Sequence, residues 1–259
     1  MSESTLSLKY SDLQAEVGGF LGYGVDPSAW SAEKAAEVDR YIQSGLRQFY
    51  YPPAVNGIEA AYEWSFLKPT ATITTAVGDA EQDLPDALGR ILGDLHFDVD
   101  VHNVPIVQVS EARILALLQQ SESTGKPQYA AVRSKASDGT TGQRLEIAWW
   151  PIPDAAYILT YRYEAFAGKL TGSKQYPLGG MRHSELIVES CLAVAEQKAN
   201  DEKGIHTERF MELLASGIAQ DRKAGARYYG HMGAQEDDVV TRGQARGDSY
   251  PVTYKGATW

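Results

Sequence analysis

The acidic residues and histidine of the segment 97–102 (FDVDVH) are the first candidates for metal chemistry. If this segment forms a strand, Asp98, Asp100 and His102 share one of its faces. No other part of the sequence supplies ligands to complete the shell. The five histidines and the single cysteine contain no HExxH motif and no Cys/His set. We therefore interpret these residues as a solvated strand face and predict neither a metal site nor a cofactor.

Nucleophilic catalysis has little support in the sequence. Cys191, the only cysteine, falls on the apolar side of a predicted helix, which favours a buried, inert thiol. A single cysteine also forms no disulfide framework, in keeping with maturation in a reducing cytoplasm. No G-x-S-x-G motif is present, and the acidic pair Asp237-Asp238 lies in a predicted tail, away from any pocket that would shift its pKa values. We predict that the protein is not an enzyme.

The formal net charge of −10 argues against a nucleic-acid-binding surface, which would normally be basic. An acidic wall would still suit a conduit through which DNA passes without being held, although solubility is the simpler explanation of the charge. No apolar run is long enough to span a membrane, and residues 1–10 lack the layout of a signal peptide. The sequence predicts no membrane partner.

A strong helical pattern covers residues 31–51. Ser31 can cap its start, and Pro52 with the following proline stops it. A shorter helix precedes it, because Ser11 and Gln14 have capping-box spacing. The apolar stripe of the longer helix is formed by Ala35, Val38, Ile42, Leu46 and Phe49.

The segment 181–229 predicts two more helices, 182–200 and 207–229, with a break around Gly204 and Thr207 as the N-cap of the second. A break this short makes the two helices antiparallel neighbours. They cannot enclose a core alone, so we predict an antiparallel bundle built from both ends of the chain. The two stripes comprise Ile187, Ser190, Cys191, Val194, Ala195 and Lys198, then Phe210, Leu213, Leu214, Gly217, Ile218 and Asp221.

Aromatic and β-branched residues between the helical segments predict a sheet. Alternation from Thr70 to Thr74 indicates a strand, which Pro69 places at an edge. We predict another strand over 97–109 and a short helix after Ser110. The segment 128–166 predicts an antiparallel meander of the strands YAAVRSK, RLEIAWW and AYILTYRYEAF.

Residues 230–259 have no helical stripe but contain apolar and aromatic side chains, which is typical of a segment that orders on a partner, by adding a strand for example. The predicted fold class is α+β. The predicted domains are a helical bundle from 1–60 and 176–229, a β-rich insertion over 61–175, and an extended tail over 230–259.

Several phrases of the sequence resemble the head-to-tail adaptor (connector) proteins of tailed bacteriophages, including the tail-tubular-protein-A-like adaptors of short-tailed phages. The resemblance covers about 12–229 and rests on structural phrases rather than catalytic signatures. These phrases are VDRYIQSGL at 38–46, YYPP at 50–53, YEWSFL at 62–67, DLPD at 83–86, YPLGG at 176–180 and HTERF at 206–210.

The resemblance implies a structural protein of the virion neck, assembled in the host cytoplasm. About twelve copies would form a ring below the portal protein, each copy contacting the next head-to-tail so that the ring closes. The ring would continue the channel for genomic DNA, which passes without specific binding, and would dock a tail tube, nozzle or tail terminator protein. The C-terminal segment would reach the portal through Val239, Val240, Tyr250, Val252, Tyr254 and Trp259.

Two alternatives remain open at this point. One is a tail-side ring component such as a stopper or tail terminator, although the long terminal helices favour an adaptor over these mostly β proteins. The other is a carbohydrate-binding or hydrolytic virion protein that presents an aromatic platform for sugars. That platform would consist of Trp149, Trp150, Tyr161 and Tyr163.

Overall fold

The computed structural model describes residues 4–53, 62–98, 104–137, 139–140, 142–225, 253–254 and 257–258. In these residues the fold is α+β, as the sequence predicts. The chain divides into two compact units, Met1–Asp221 and Arg222–Trp259. The predicted division into bundle, insertion and tail stays a prediction. The helices are α1 (Tyr10–Phe20), α2 (Ala32–Tyr50), α3 (Glu111–Gln120), α4 (Ser184–Asn200) and α5 (Ile205–Gly225).

Helix α2 follows its sequence pattern closely. The Ser31 side chain accepts a hydrogen bond from the Lys34 backbone N–H at 3.4 Å. Of the predicted stripe, Ala35 is half-buried, and the remaining residues are at most 3% exposed. Their burial drives the packing of α2. The buried residues of this stripe are Val38, Ile42, Leu46 and Phe49.

The start of α1 differs from the predicted capping box. Ser11 lies inside the helix, and Lys9 is the N-cap. The Asp12 carboxylate accepts a hydrogen bond from the Lys9 backbone N–H at 2.8 Å. A carboxylate in the first turn satisfies an otherwise unpaired donor and complements the helix dipole, so Asp12 replaces Ser11 in this role. Leu13 and Val17 are the buried apolar residues of the helix.

Helix α4 is buried on nearly every side rather than along one stripe. Every residue from 186 to 196 is buried, while Lys198, predicted on the stripe, is exposed. The cause is its position, because α1 and α2 both pack against it and α5 contributes to the same hydrophobic cluster. A pattern that reports one apolar face underestimates such burial.

The turn between α4 and α5 also differs from the prediction. Asp201 ends α4 in the left-handed conformation with φ 54°, and α5 begins at Ile205, so Thr207 lies within the helix and is not its N-cap. The predicted stripe of α5 is confirmed for Phe210, Leu214 and Ile218, which are at most 2% exposed. The predicted end at 229 lies outside the described residues.

The sheets bring together strands that are distant in the sequence. One sheet has the order β1-β9-β3, another has the order β2-β7-β6-β4, and β5 with β8 forms a separate two-stranded sheet. The pairings are antiparallel except for β4 with β6 and β5 with β8, which are parallel. The strands of these sheets are β1 (Thr70–Thr74), β2 (Glu81–Asp83), β3 (Leu88–Phe97), β4 (Val107–Gln108), β5 (Thr124–Gly125), β6 (Tyr129–Ser134), β7 (Leu145–Trp150), β8 (Ile152–Pro153) and β9 (Ile158–Ala165).

The predicted three-strand meander is wrong at its last strand. Strands β6 and β7 pair in an antiparallel hairpin, but β9 pairs with β1 and β3 in the other sheet. The predicted strand over 97–109 is also not continuous in the described residues, because Phe97 ends β3 and Val107–Gln108 forms β4, while 99–103 lie outside the described residues. Pro69 immediately precedes β1, an edge strand of its sheet, as predicted.

Separate hydrophobic clusters stabilise the helical and β regions. The first cluster unites residues of α1, α2, α4 and α5 with Trp64, Leu67 and Leu170. The second lies between the sheets and includes Trp149 and Leu159, both fully buried. Helix α3 covers β6 and β7 through a smaller cluster around Ile114.

Within the second unit, β10 (Thr253–Tyr254) and β11 (Ala257–Thr258) pair antiparallel with each other. This short hairpin contains Tyr254, one of the residues predicted to bind the portal. The other predicted portal-binding residues lie outside the described residues: Val239, Val240, Tyr250, Val252 and Trp259. Their role stays a prediction.

Candidate interaction surfaces

Among the described residues, no group of three or more His, Cys, Asp or Glu side chains is arranged to hold a metal ion. Of the FDVDVH residues, Asp98 is exposed at the end of its strand, while Asp100 and His102 lie outside the described residues. Cys191 is fully buried, and burial raises the pKa of its thiol to about 12. A thiol in this state is protonated at neutral pH and is not a nucleophile.

Asp221, a polar member of the predicted stripe of α5, binds the C-terminal part of this helix to the segment before β1. Its carboxylate accepts hydrogen bonds from the Ser65 backbone N–H at 2.9 Å and from the Tyr62 hydroxyl at 2.7 Å. Burial alone would raise the pKa of Asp221, but these bonds and the Ser65 hydroxyl outweigh it and lower the pKa. Asp221 is therefore a structural anion with its partners in place.

A second buried carboxylate, Glu189, joins α4 to α5. It is 4% exposed, and its oxygens lie 2.8 Å from His206 Nδ1 and 3.2 Å from an Arg209 guanidinium nitrogen. Nearby, Glu196 approaches Gly204 in the α4–α5 turn and accepts from the Thr207 backbone N–H. Both acids are used to hold the helices together, as expected for buried charges.

A charged groove of about 480 Å³ lies between α2 and the end of α4, and we call it the cationic groove. Arg40 and Arg47 extend from α2, Lys198 from α4, and Lys169 from the segment after β9. All of these cations are exposed. The remaining lining residues are Asp39, Tyr41, Gln43, Ser44 and Val194.

Gln43 maintains the form of this groove by holding the segment after β9 against α2. Its side-chain amide donates to the Leu170 carbonyl at 2.9 Å, and its carbonyl oxygen accepts from the Leu170 backbone N–H at 3.3 Å. The amide also donates to Asp39 Oδ1 at 2.9 Å. These bonds fix the segment that carries Lys169 against α2, so the groove is preformed.

An apolar notch lies at a different part of the helical surface. Phe20 and Val25 border it, and Val25 is 69% exposed. The ring of Phe20 packs edge-on against His206, with 5.3 Å between ring centroids. Scattered exposed apolar residues are normal on protein surfaces, and nothing in the described residues identifies a partner for this notch.

The aromatic platform considered for sugars is not formed. Trp149 is fully buried and Tyr161 is 2% exposed, because both point into the core between the sheets. Trp150 packs against Tyr129 at 6.0 Å between ring centroids, and Tyr163 packs against the same core as Tyr161. Sugar platforms require exposed ring faces, so the burial of Trp149 and Tyr161 argues against this alternative.

Sequence reasoning did not find the cationic groove. Arg40 and Arg47 are seven residues apart and therefore share a helical face, which is the one signal that was available. Lys169 and Lys198 join them only through the packing of α2 against α4 and through the Gln43–Leu170 contact. These contacts connect residues more than a hundred positions apart, beyond the reach of a local pattern.

Comparison with protein families identifies a match over most of the chain. The family model described as SU10 adaptor protein matches residues 8–235 of the chain, which is well over half of its length. A search of curated proteins found no match. Among the described residues, no helix has the length and apolar character needed to cross a membrane.

Proposed function

The chain belongs to the SU10 adaptor protein family, and from this membership we propose that it forms a ring below the portal that continues the DNA channel and docks the tail. It is a bacteriophage adaptor, a structural protein of the head–tail junction in the virion neck, with portal and tail proteins as its partners. The finer statements are our proposal: about twelve copies in the ring, assembly in the host cytoplasm, and the closer likeness to tail-tubular-protein-A-like adaptors.

The observation that carries this proposal is the extent of the family match. It runs from residue 8, before α1, to residue 235, beyond α5, and so includes both the helical and the β regions. We propose that the helices from both ends of the chain act as an antiparallel bundle that forms the body of each ring subunit. The β region would then form the outer or tail-facing part.

The internal use of the polar groups supports a structural role. Asp221 and Glu189 are hydrogen-bonded within the protein, and the Cys191 thiol is inaccessible. We propose that the protein makes and breaks no covalent bond. Its affinity for the portal would come from many repeated contacts, because each docked subunit raises the effective concentration of the next contact.

We propose that the C-terminal segment 230–259 binds the portal, through the residues given in the sequence analysis. DNA would pass the ring without specific binding, in keeping with the net charge of −10. The adaptor family match favours this position over a tail-side stopper or terminator. Burial of Trp149 and Tyr161 removes the basis of the carbohydrate-binding alternative.

The first test is to mix the protein with the portal protein of the same phage and to image the complex by negative-stain electron microscopy. We expect a collar of added density with the symmetry of the portal. Unchanged portal rings beside free protein would contradict the adaptor position and favour a tail-side component.

A deletion tests the C-terminal segment separately. Removal of residues 230–259 should leave a folded protein, as judged by circular dichroism, that no longer binds portal rings. Portal binding equal to that of the full chain would show that the binding residues lie elsewhere.

A further inference from the structure

We propose that the cationic groove binds carboxylates of a second copy of this chain and thereby forms the contact between neighbouring subunits. This inference rests on the proposed function, because it names the surface that would join the copies of the ring.

The cations of the groove are poorly matched within their own chain. Among the described residues, no carboxylate lies within ion-pair distance of Arg40, Arg47 or Lys198. Lys169 has one weak pair, with 3.9 Å between its Nζ and Asp39 Oδ2. The groove therefore presents several cationic donors that an anionic partner can satisfy.

The acids beside these cations are already engaged by neutral donors. Asp39 accepts hydrogen bonds from the Tyr10 hydroxyl at 2.7 Å and from Gln43 at 2.9 Å. Glu37, one helical turn before Tyr41, accepts from the hydroxyls of Tyr23 at 2.6 Å and Tyr41 at 2.7 Å.

The hydrogen bonds between Glu37 and its tyrosines shift the pKa values of both Glu37 and Tyr41. The hydrogen bonds from the two tyrosines lower the pKa of Glu37, while burial and the bond to Glu37 raise the pKa of Tyr41 to about 12. Glu37 is thus held in place as an anion by its own tyrosines. The nearby charge of Arg40 also lowers the pKa of Glu37, but the two form no ion pair, so Arg40 can still bind an anionic partner.

The charge balance of the chain favours a second copy as that partner. The lining of the groove contains four cations and one carboxylate, a formal charge of +3, so the other residues of the chain carry −13 in total. Every copy therefore offers abundant carboxylates to the groove of another. A patch of one sign meeting a surface of the other sign steers association and fixes its register.

Nucleic acid is the less suitable occupant. A phosphate backbone needs a basic stripe along its path, whereas this groove is a single site of about 480 Å³ on a strongly acidic protein. A groove on one surface that receives a different surface of the next subunit is a heterologous contact. Such contacts close into rings when the rotation between copies permits it.

The experiment is zero-length cross-linking by a carbodiimide, which joins lysine amines to carboxylates that are in direct contact. Copies labelled with nitrogen-15 are mixed with unlabelled copies and portal protein at low salt. Mass spectrometry then identifies the linked peptides. We expect mixed-label peptides that join Lys169 or Lys198 of one copy to an Asp or Glu of another.

A charge reversal adds a second readout. In the double variant Arg40→Glu, Arg47→Glu, we expect the mixed-label links at Lys169 and Lys198 to fall by about tenfold or more, because like charges now face each other. The matched control is Arg113→Glu, which makes the same change at an exposed position on α3 and should keep the links. Circular dichroism checks that each variant is folded.

The outcomes separate the two proposals. Links from the groove only to its own Asp39, to portal carboxylates or to none at all would overturn the groove proposal, as would full retention of mixed-label links in the double variant. Collars on the portal without groove links would leave the adaptor function standing while refuting the groove. Groove links between copies without a collar would support the groove and contradict the function.

Discussion

The helical and β regions of this protein place their charged and polar groups differently. In the helical region many polar side chains are buried, including Gln43, His183, Glu189 and Asp221. In the β region the ion pairs are exposed or half-buried, such as Arg90 with Glu164 and Arg133 with Glu146, and the core between the sheets is built from apolar and aromatic residues.

The difference shows how each region selects its packing. A buried carboxylate costs several kcal/mol unless its partners are in place, so Glu189 and Asp221 penalise any arrangement of α4 and α5 that separates them from those partners. The sheets depend instead on strand register and on the volume of large side chains such as Trp149. Four experiments test this contrast, beginning with the one of largest expected effect.

Gly45 and Gly89 provide a matched pair of close approaches. A Cβ atom added at Gly45 would lie 2.6 Å from Cα and 2.8 Å from N of Cys191, where the neighbouring atoms are α4 backbone. At Gly89 it would lie 2.8 Å from the side-chain ring of Phe166, which is 50% exposed, and 3.3 Å from the Glu164 carbonyl oxygen. We expect Gly45→Ala to lower the free energy of unfolding by about 2–3 kcal/mol and Gly89→Ala by less than about 1 kcal/mol.

Urea titration followed by circular dichroism measures both glycine variants. Equal losses of stability, or a larger loss for Gly89→Ala, would show that α2 and α4 can separate at little cost. The contrast between a helical region of fixed spacing and a more tolerant β region would then be wrong at this contact.

Two buried tryptophans differ in whether their indole N–H is satisfied. Trp64 donates to the Phe49 carbonyl at 2.8 Å, whereas Trp149 Nε1 is buried without a hydrogen-bond partner among the described residues. Replacing either tryptophan by phenylalanine removes the same side-chain volume from a buried site. Trp64→Phe also loses a hydrogen bond and leaves a buried carbonyl unpaired, so it should cost about 1–3 kcal/mol more than Trp149→Phe. Thermal and urea unfolding followed by circular dichroism compare them, and equal costs would refute the distinction.

His183 makes the stability of the helical region depend on pH. Burial lowers its pKa below the ordinary 6.5, against the opposing effect of Asp221. His183 therefore binds a proton more readily in the unfolded chain than in the folded one. The contribution of neutral His183 to the free energy of unfolding is fully present above pH 6.5 and is lost progressively as the pH falls below 6.5. One proton accounts for at most about 1.4 kcal/mol per pH unit.

The window from pH 6.5 to about 4.5 lies above the ordinary pKa values of the carboxyl groups Glu63 and Asp221, whose pKa values are lowered further in the folded protein. The variant His183→Phe keeps an aromatic ring among Phe49, Trp64 and Phe66. Its free energy of unfolding should fall less across this window than that of the wild type. Parallel curves for the two proteins would show that His183 titrates alike in both states.

The surface pairs of the β region should have the smallest effect. Arg90 lies 2.8 Å from Glu164 and 2.6 Å from Glu63, but its side chain is 54% exposed. Exposed pairs contribute little because water and salt screen them. We expect Arg90→Gln to cost less than about 1 kcal/mol in urea titrations, and a loss as large as that of Gly45→Ala would contradict the comparison.

Local patterns predicted the elements well but not their assembly. The stripes of α2 and α5 and the strands β6, β7 and β9 follow from spacings of two to four residues, which the sequence displays directly. The strand that pairs with β9 cannot be inferred from such spacings, because Thr160 lies opposite Thr72, some ninety positions away. A meander is the simplest expectation for consecutive strands, and here long-range pairing replaces it.

The candidate site shows the same limit. The sequence directed attention to the aromatic residues of β7 and β9, but Trp149 and Tyr161 are buried in the core between the sheets. The cationic groove needed the close approach of α2 and α4 at Gly45, where the Ser190 hydroxyl donates to the Gly45 carbonyl at 2.8 Å. No single helix pattern contains that information.

The burial of α4 restricts the positions at which the sequence of this protein can change. From residue 186 to 196, where α4 is enclosed by α1, α2 and residues of α5, a side chain can hardly change size without disturbing a neighbour. Adaptation to a different portal or tail must therefore accumulate on the outward faces of the surrounding helices and loops. Drift in α4 should be confined to exchanges that conserve volume, and the outer surface is free to diverge as the phage acquires new partners.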